Sequence, residues 1–265
     1  TFSLRVHPGK HILESSPILN MEVDQIEVFD KDNLSIPCYP NMTMMDFQLA
    51  LKLIEVCRDR ALQDFVSSQQ GEVNLTSHSQ LLSPEPKGQI VLRGAHVNRY
   101  DFIEKPKQGI PVYLDAQRFL AFHGKDTKAY DHLYVRIGYQ RGSAIDNWRR
   151  IIATIIEKGN FCSDTINYIV NPKQLGLFAI LALLNSSLWE WRFRLTSTNN
   201  HVNAYEIDSM PIRRICCVTS KEEREKLVEK GKKLYENCLE NGNWDSLLFF
   251  VDQRLEKQYI PDPEL

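Results

Sequence analysis

Apolar and polar residues alternate from the first positions, so that Phe2-Ser3-Leu4-Arg5-Val6 and Ile26-Glu27-Val28-Phe29 read as short strands. The turn cluster Asp30-Lys31-Asp32-Asn33 follows, and Pro37 and Pro40 punctuate the chain. The period then changes. With Asn41 or Thr43 as cap, Met44, Phe47, Leu51, Ile54 and Leu62 fall near one face at helical spacing, which predicts a helix over about 43–66. Residues 67–89, with Pro84, Pro86 and Gly88, read as a long polar loop. Strands are predicted over 89–93, 100–103, 111–114, 133–137, 148–156 and 165–170, several of them rich in β-branched residues. Asn171 and Pro172 supply an N-cap and a first helical residue. The helix they open carries Leu175, Phe178, Leu181, Leu184 and Leu188 to Trp191, and it is apolar nearly all round, as a helix buried against a sheet must be. A polar loop spans 196–204, and Met210-Pro211-Ile212 resumes an extended path. Ser220-Lys221-Glu222-Glu223 is a capping box opening a charged helix that Gly242 ends. Trp244, Leu247, Leu248, Val251 and Leu255 share one face of a last helix, so the two form a helical hairpin. The pattern describes an α+β fold: a mixed, largely antiparallel sheet packed on a buried helix, with a helical N-terminal connector and a C-terminal helical hairpin. It divides the chain into 1–86, 87–215 and 216–265.

Composition adds limits. In 265 residues, 43% hydrophobic and 25% charged, there is enough apolar material for a large core. The longest strongly apolar run, 175–184, is far short of the roughly 20 residues that cross a bilayer, so no membrane role is expected. The chain opens at Thr1 directly into a strand pattern with no signal peptide, which reads as a piece of a longer protein. Six cysteines form no C-x-x-C pair and no histidine pair has ligand spacing, so reduced, cytoplasmic thiols are expected and a zinc site is not. The net charge of −2 conceals a strong asymmetry. Residues 87–150 hold 12 lysines and arginines against 6 acidic residues, whereas residues 1–86 hold 6 against 12. An anionic partner for the middle segment is the reading this suggests.

Catalytic signatures are missing from the sequence: it has no dinucleotide or phosphate-binding glycine loop, no nucleophile elbow and no H-E-x-x-H. Glu85-Pro86-Lys87 has the spacing of a nuclease carboxylate and lysine, but the flanking prolines oppose the strand such a site needs. Binding chemistry is better represented. Arg93, Arg99, Arg136, Arg141, Arg149 and Arg150 are interleaved with His96, Asn98, Tyr100, Tyr139, Asn147 and Trp148. Arginine grips phosphate and reads guanine bidentately, and asparagine reads adenine the same way. A second cluster, Asn199, Asn200, His201 and Asn203, lies in the polar loop after the buried helix. These thirteen arginine, histidine and asparagine positions are the candidate DNA contacts; no catalytic or metal-binding residue is assigned.

Three segments resemble the TaqI-like C-terminal specificity domain of N6-adenine DNA methyltransferases and type IIG restriction–modification enzymes. Leu92-Arg93-Gly94-Ala95-His96-Val97-Asn98-Arg99-Tyr100 is similar to its LRGxxIxRY motif. Ile180 to Leu188 is similar to its LLNSxL helix, and Asp208-Ser209-Met210-Pro211-Ile212 to its LxxLPI ending. Together they span about half the chain. The resemblance implies recognition of double-stranded DNA on behalf of a methyltransferase domain in the same parent protein. That domain would hold S-adenosylmethionine and an Asn-Pro-Pro-Tyr/Phe loop, with Mg²⁺ where the parent also cuts DNA; Asn171-Pro172-Lys173 is not that loop. Two other readings stand beside it: a protein-interaction scaffold built on the 221–240 helix, and a metal-dependent nuclease at Glu85.

Overall fold

The computed structural model describes residues 1–7, 15–31, 34–37, 39, 42–57, 60–107, 109–170, 176–212 and 221–242. At its centre is a four-stranded antiparallel sheet in the order Ala153–Ile156, Arg136–Gln140, Ile166–Val170, Ser68–Gln70. Side chains alternate across a strand. Ile137, Tyr139, Ala153, Ile155 and Ile169 therefore share a face, and they cluster with Ile180, Leu181, Leu184, Trp189 and Phe193 from the helices that follow. Ile156, Ile166 and Tyr168, on the opposite face, cluster with Leu92, Val97 and Cys162. Covered on both sides, these strands are runs of buried residues rather than alternating ones.

A smaller sheet lies against that second face, in the order Phe161–Cys162, Gln89–Leu92, Tyr113–Leu114, Leu82–Ser83. Its first pair is parallel and the others antiparallel, so the architecture is α+β and mixed, as expected. The chain passes between the sheets at Gly71, where any Cβ would run into the Ser163 carbonyl.

Three departures from the sequence reading have identifiable causes. Ile26 to Phe29 is not a strand; it belongs to the helix Val23–Phe29. Ile26 and Phe29, three apart, are buried against the helix Met44–Cys57, with the Phe29 and Phe47 rings 5.6 Å apart, while Val23 and Val28 face solvent. The 67–89 segment is not all loop, because Ser68–Gln70 supplies the edge of the central sheet. The 172–191 helix is two helices, Leu177–Leu184 and Ser187–Arg194; residues 171–175 lie outside the described residues.

The break falls on Asn185, which is fully buried. Its Oδ1 accepts from the Ala153 N–H at 3.2 Å, and its Nδ2 donates to the Ala153 carbonyl at 2.9 Å and the Leu181 carbonyl at 3.2 Å. Ala153 opens an edge strand, so this amide pairs its outward backbone groups as another strand would. Ser186 then restarts the helix by accepting from the Trp189 N–H at 3.2 Å.

The helix Lys221–Asn241 docks on the central cluster through Tyr235 and Cys238, and Gly242, at φ +67°, ends it as its sequence predicts. Ser220 and the last helix over 244–255 lie outside the described residues. Among the described residues no helix is long and apolar enough to cross a membrane.

An ion pair is sealed between the sheets. Arg136 Nη1 donates to both carboxylate oxygens of Glu72 at 3.1 Å, Nη2 donates to the Asn160 carbonyl, and the guanidinium lies 4.5 Å from the Tyr168 ring centroid. Both side chains are 0% exposed. Burial pushes the Glu72 carboxyl upward, and the Arg136 charge opposes it. Removing one partner strands the other charge in the interior, which typically costs about 3–5 kcal/mol. Arg136→Met should therefore lower the urea midpoint by that equivalent, and pairing it with Glu72→Leu should restore most of the loss.

Asn185→Leu tests the sheet edge separately. It should destabilise by roughly 1–3 kcal/mol, because the Ala153 N–H is left buried without its partner, and amide exchange at Ala153 should rise.

Candidate nucleic-acid interface

Three of the segments singled out in the sequence meet at one end of the central sheet. Arg141 follows the strand Arg136–Gln140, and Thr165 precedes the neighbouring strand Ile166–Val170. The Arg141 N–H donates to the Thr165 carbonyl at 3.0 Å, and the Gly94 N–H donates to Thr165 Oγ1 at 2.9 Å. Gln140 Nε2 donates to the Val97 carbonyl at 2.6 Å. The region from Arg93 to Asn98 is thus tied to the start of the 141–150 loop.

The polar loop after the helices joins them. Val202 N–H donates to the Arg141 carbonyl at 2.7 Å, and Ser143 N–H to the Asn200 carbonyl at 2.9 Å. Gly142 and His201 form a β-bridge, and Asn200 Oδ1 accepts from the Ile145 N–H at 3.1 Å. Two clusters about fifty residues apart in sequence are therefore one surface element of paired loops.

Arginines make its frame. Arg150 is buried, and its Nη2 donates to Ser197 Oγ at 3.3 Å and to the carbonyls of Asn199 at 2.6 Å and His201 at 3.2 Å. This one cation shapes the turn that presents Asn199, Asn200 and His201. Glu190, also buried, accepts from the backbone N–H groups of Arg150 at 2.8 Å and Ile151 at 2.9 Å, and from Arg194 Nε at 2.6 Å. Arg149 donates to the Ser186 carbonyl at 2.9 Å, and Arg99 to the Asn185 carbonyl at 3.0 Å. Arg99 thus supplies a donor where the helix Leu177–Leu184 ends, whereas the Ser186 carbonyl that Arg149 meets also accepts the Glu190 N–H at 3.1 Å in the next helix. Burial, then the proximity of Arg99, lowers the Arg149 pKa.

The thirteen candidate positions thus divide. Arg136, Arg149, Arg150 and His96 are buried, with side-chain hydrogen bonds committed to the protein; Arg136 lies between the sheets, apart from the paired loops. Asn98, Asn147, Asn199, Asn200 and His201 are exposed. Arg93, Arg99, Arg141 and Asn203 are half-buried. Asn203 Nδ2 donates to Glu206 Oε2 at 2.9 Å at the start of the helix Ala204–Asp208, and Arg93 Nη1 reaches the Ile110 carbonyl at 3.4 Å. The Arg141 side chain makes no hydrogen bond or ion pair with a described residue.

Sequence reasoning passed over Glu190, Asn185 and Thr165, which position the loops without belonging to them. The available signal was Glu190 itself, an acid set between two tryptophans on a half-buried helix. Glu85 and Lys87 pair with each other at 2.6 Å on the surface. Among the described residues, no three histidine, cysteine or acidic side chains are placed to share a metal ion.

His96 and His78 make stability pH-dependent. Each Nδ1 accepts a backbone N–H at 3.0 Å, from Arg93 and Asn74 respectively, and protonation destroys that bond. Burial is the main cause holding both below the ordinary histidine value. The unfolded chain titrates at about 6.5 and takes up protons first as pH falls. The stabilisation is therefore fully present above about pH 6.5 and is lost as pH falls through the depressed folded values. Urea midpoints should drop between pH 7.5 and 5.5. His96→Gln, whose amide oxygen can accept the same N–H without titrating, should shrink the drop.

No family model matches this chain, and no curated protein matches it. Among solved structures, the type IIL restriction–modification enzyme MmeI in complex with DNA is similar to it at 12% identity and a TM-score of 0.42, over 84% of this chain and 33% of that one. The chain spans about a third of that enzyme's length.

Proposed function

We propose that this chain recognises duplex DNA as the specificity part of an adenine-N6 DNA methyltransferase or fused restriction–modification enzyme, and contributes binding rather than catalysis. The observation that carries the reading is the pairing of the 141–148 and 198–201 loops into one element that is polar, exposed and held from beneath by buried arginines and Glu190. The ordered motifs of residues 92–100, 180–188 and 208–212 support it from the sequence side, and the structure gives two of them a physical task. Gly94 and Asn185 tie these motifs to the ends of the sheet.

In this reading the buried arginines set the frame and the exposed groups touch DNA. Arg141 and Arg93 neutralise phosphates; Asn147, Asn199 and Asn200 offer paired donors and acceptors to base edges, and His201 lies beside them. Three of the twelve basic residues over 87–150 are interior, so the electrostatic contribution is smaller than the sequence count suggests. S-adenosylmethionine, and Mg²⁺ where the parent cleaves, belong to the catalytic part of the parent protein. That part extrudes the target adenine while this module holds the flanking duplex.

One observation favours a scaffold reading as well. Half of the exposed large hydrophobics among the described residues, including Met45, Leu49 and Val56 on one helix, lie between positions 18 and 56. A contact with a second domain of the same parent accommodates both readings, whereas a pure scaffold is indifferent to DNA.

Fluorescence anisotropy against a duplex library decides between them. Affinity should fall steeply as salt rises, with log K linear in log salt. Arg141→Glu should weaken binding by about tenfold or more and flatten that slope by roughly one charge. Binding that ignores salt, or that Arg141→Glu leaves unchanged, overturns the proposal.

A further inference from the structure

We infer that Trp148 stacks on a nucleobase of the bound DNA, so that the chain favours DNA in which a base has left the regular stack. This rests on the DNA-recognition reading and goes beyond it.

Trp148 is 79% exposed, more than any other large hydrophobic side chain described. It occupies a loop closed at its base, where Ser143 Oγ lies 3.5 Å from the Arg149 carbonyl. Inside the loop the Asn147 N–H donates to the Ala144 carbonyl at 3.0 Å. Outside it, Arg194 Nη2 donates to the Asn147 carbonyl at 2.6 Å and Nη1 to the Ile145 carbonyl at 3.3 Å. The next two residues, Arg149 and Arg150, are buried and bonded through side chain and backbone. Backbone is therefore fixed on both sides of the indole, and the loop cannot readily turn it inward.

What surrounds it selects the partner. A protein partner needs a broad apolar patch. Here the loop adds only Ile145, 47% exposed, and the polar groups of the same paired loops are Arg141, Asn147 and Asn200 together with the exposed carboxylate of Asp146. A cation, amides and one large aromatic ring form the combination that binds nucleic acid by gripping backbone and stacking bases. The indole has a single donor and cannot read a base edge bidentately, but its face matches that of any base. Apolar side chains projecting from polar DNA-binding surfaces act as wedges at unstacked base steps.

The experiment uses the full chain and two duplexes of one sequence, one regular and one with a single unpaired base. Wild type should bind the second about tenfold more tightly, with partial quenching of tryptophan emission. Trp148→Ala should abolish the preference and the quenching while keeping salt-dependent binding to the regular duplex; Trp148→Phe should keep part of the preference. Equal affinity of wild type for both duplexes without quenching, or a preference that survives in Trp148→Ala, overturns the inference and leaves the DNA reading intact. Wild type that binds neither duplex removes both. Self-association that Trp148→Ala abolishes, with DNA binding unchanged, assigns the indole to a protein contact and overturns it as well.

Discussion

The Glu190 carboxylate is the interaction on which the interface depends. Its oxygens accept from the Arg150 and Ile151 N–H groups in the interior and from the half-buried Arg194 side chain. That arrangement holds the chain entering the edge strand Ala153–Ile156 against the helix Ser187–Arg194. Arg150 is then placed to bind the carbonyls of Asn199 and His201, and Arg194 to bind those of Ile145 and Asn147. Each loop is shaped by a cation that the same carboxylate positions. A buried carboxylate with fewer partners would be costly; with three, it fixes two loops at once.

The same economy appears at the other structural sites. Asn185 satisfies an edge strand, Arg99 satisfies a helix end, Arg149 ties down the start of the next helix at Ser186, and the Arg136–Glu72 pair fills the space between the two sheets. Much of the polar chemistry that looks like binding capacity in the sequence is therefore used to hold irregular backbone. What is left for a ligand is smaller and more sharply placed: Arg141, the loop asparagines, His201 and Trp148.

Local chemistry explains what could be read from the sequence. The strand over 165–170 and the helix end at Gly242 are set by residues within one turn or strand of themselves. The fold class follows from the same short-range patterns. The edge strand Ser68–Gln70 escaped because its exposed glutamines carry no apolar signal. The helix Val23–Phe29 escaped because its buried Ile26 and Phe29 also suit a four-residue strand. The helix break at Asn185 is a tertiary effect, since only the distant Ala153 edge gives that amide a use. The union of the 141–148 and 198–201 loops was illegible for the same reason: it is made by hydrogen bonds across a long sequence separation. Arginine count, likewise, does not reveal which guanidiniums find carbonyls inside.

The central claim is that these two loops form one DNA-facing surface. Hydrogen–deuterium exchange of the full chain, with and without duplex DNA, addresses it directly. The account predicts that DNA slows exchange in peptides covering 141–148 and 198–201 together, while the strand around Arg136 is unchanged. Protection confined to residues 18–56 or to the 221–241 helix, with both loops unaffected, would contradict it.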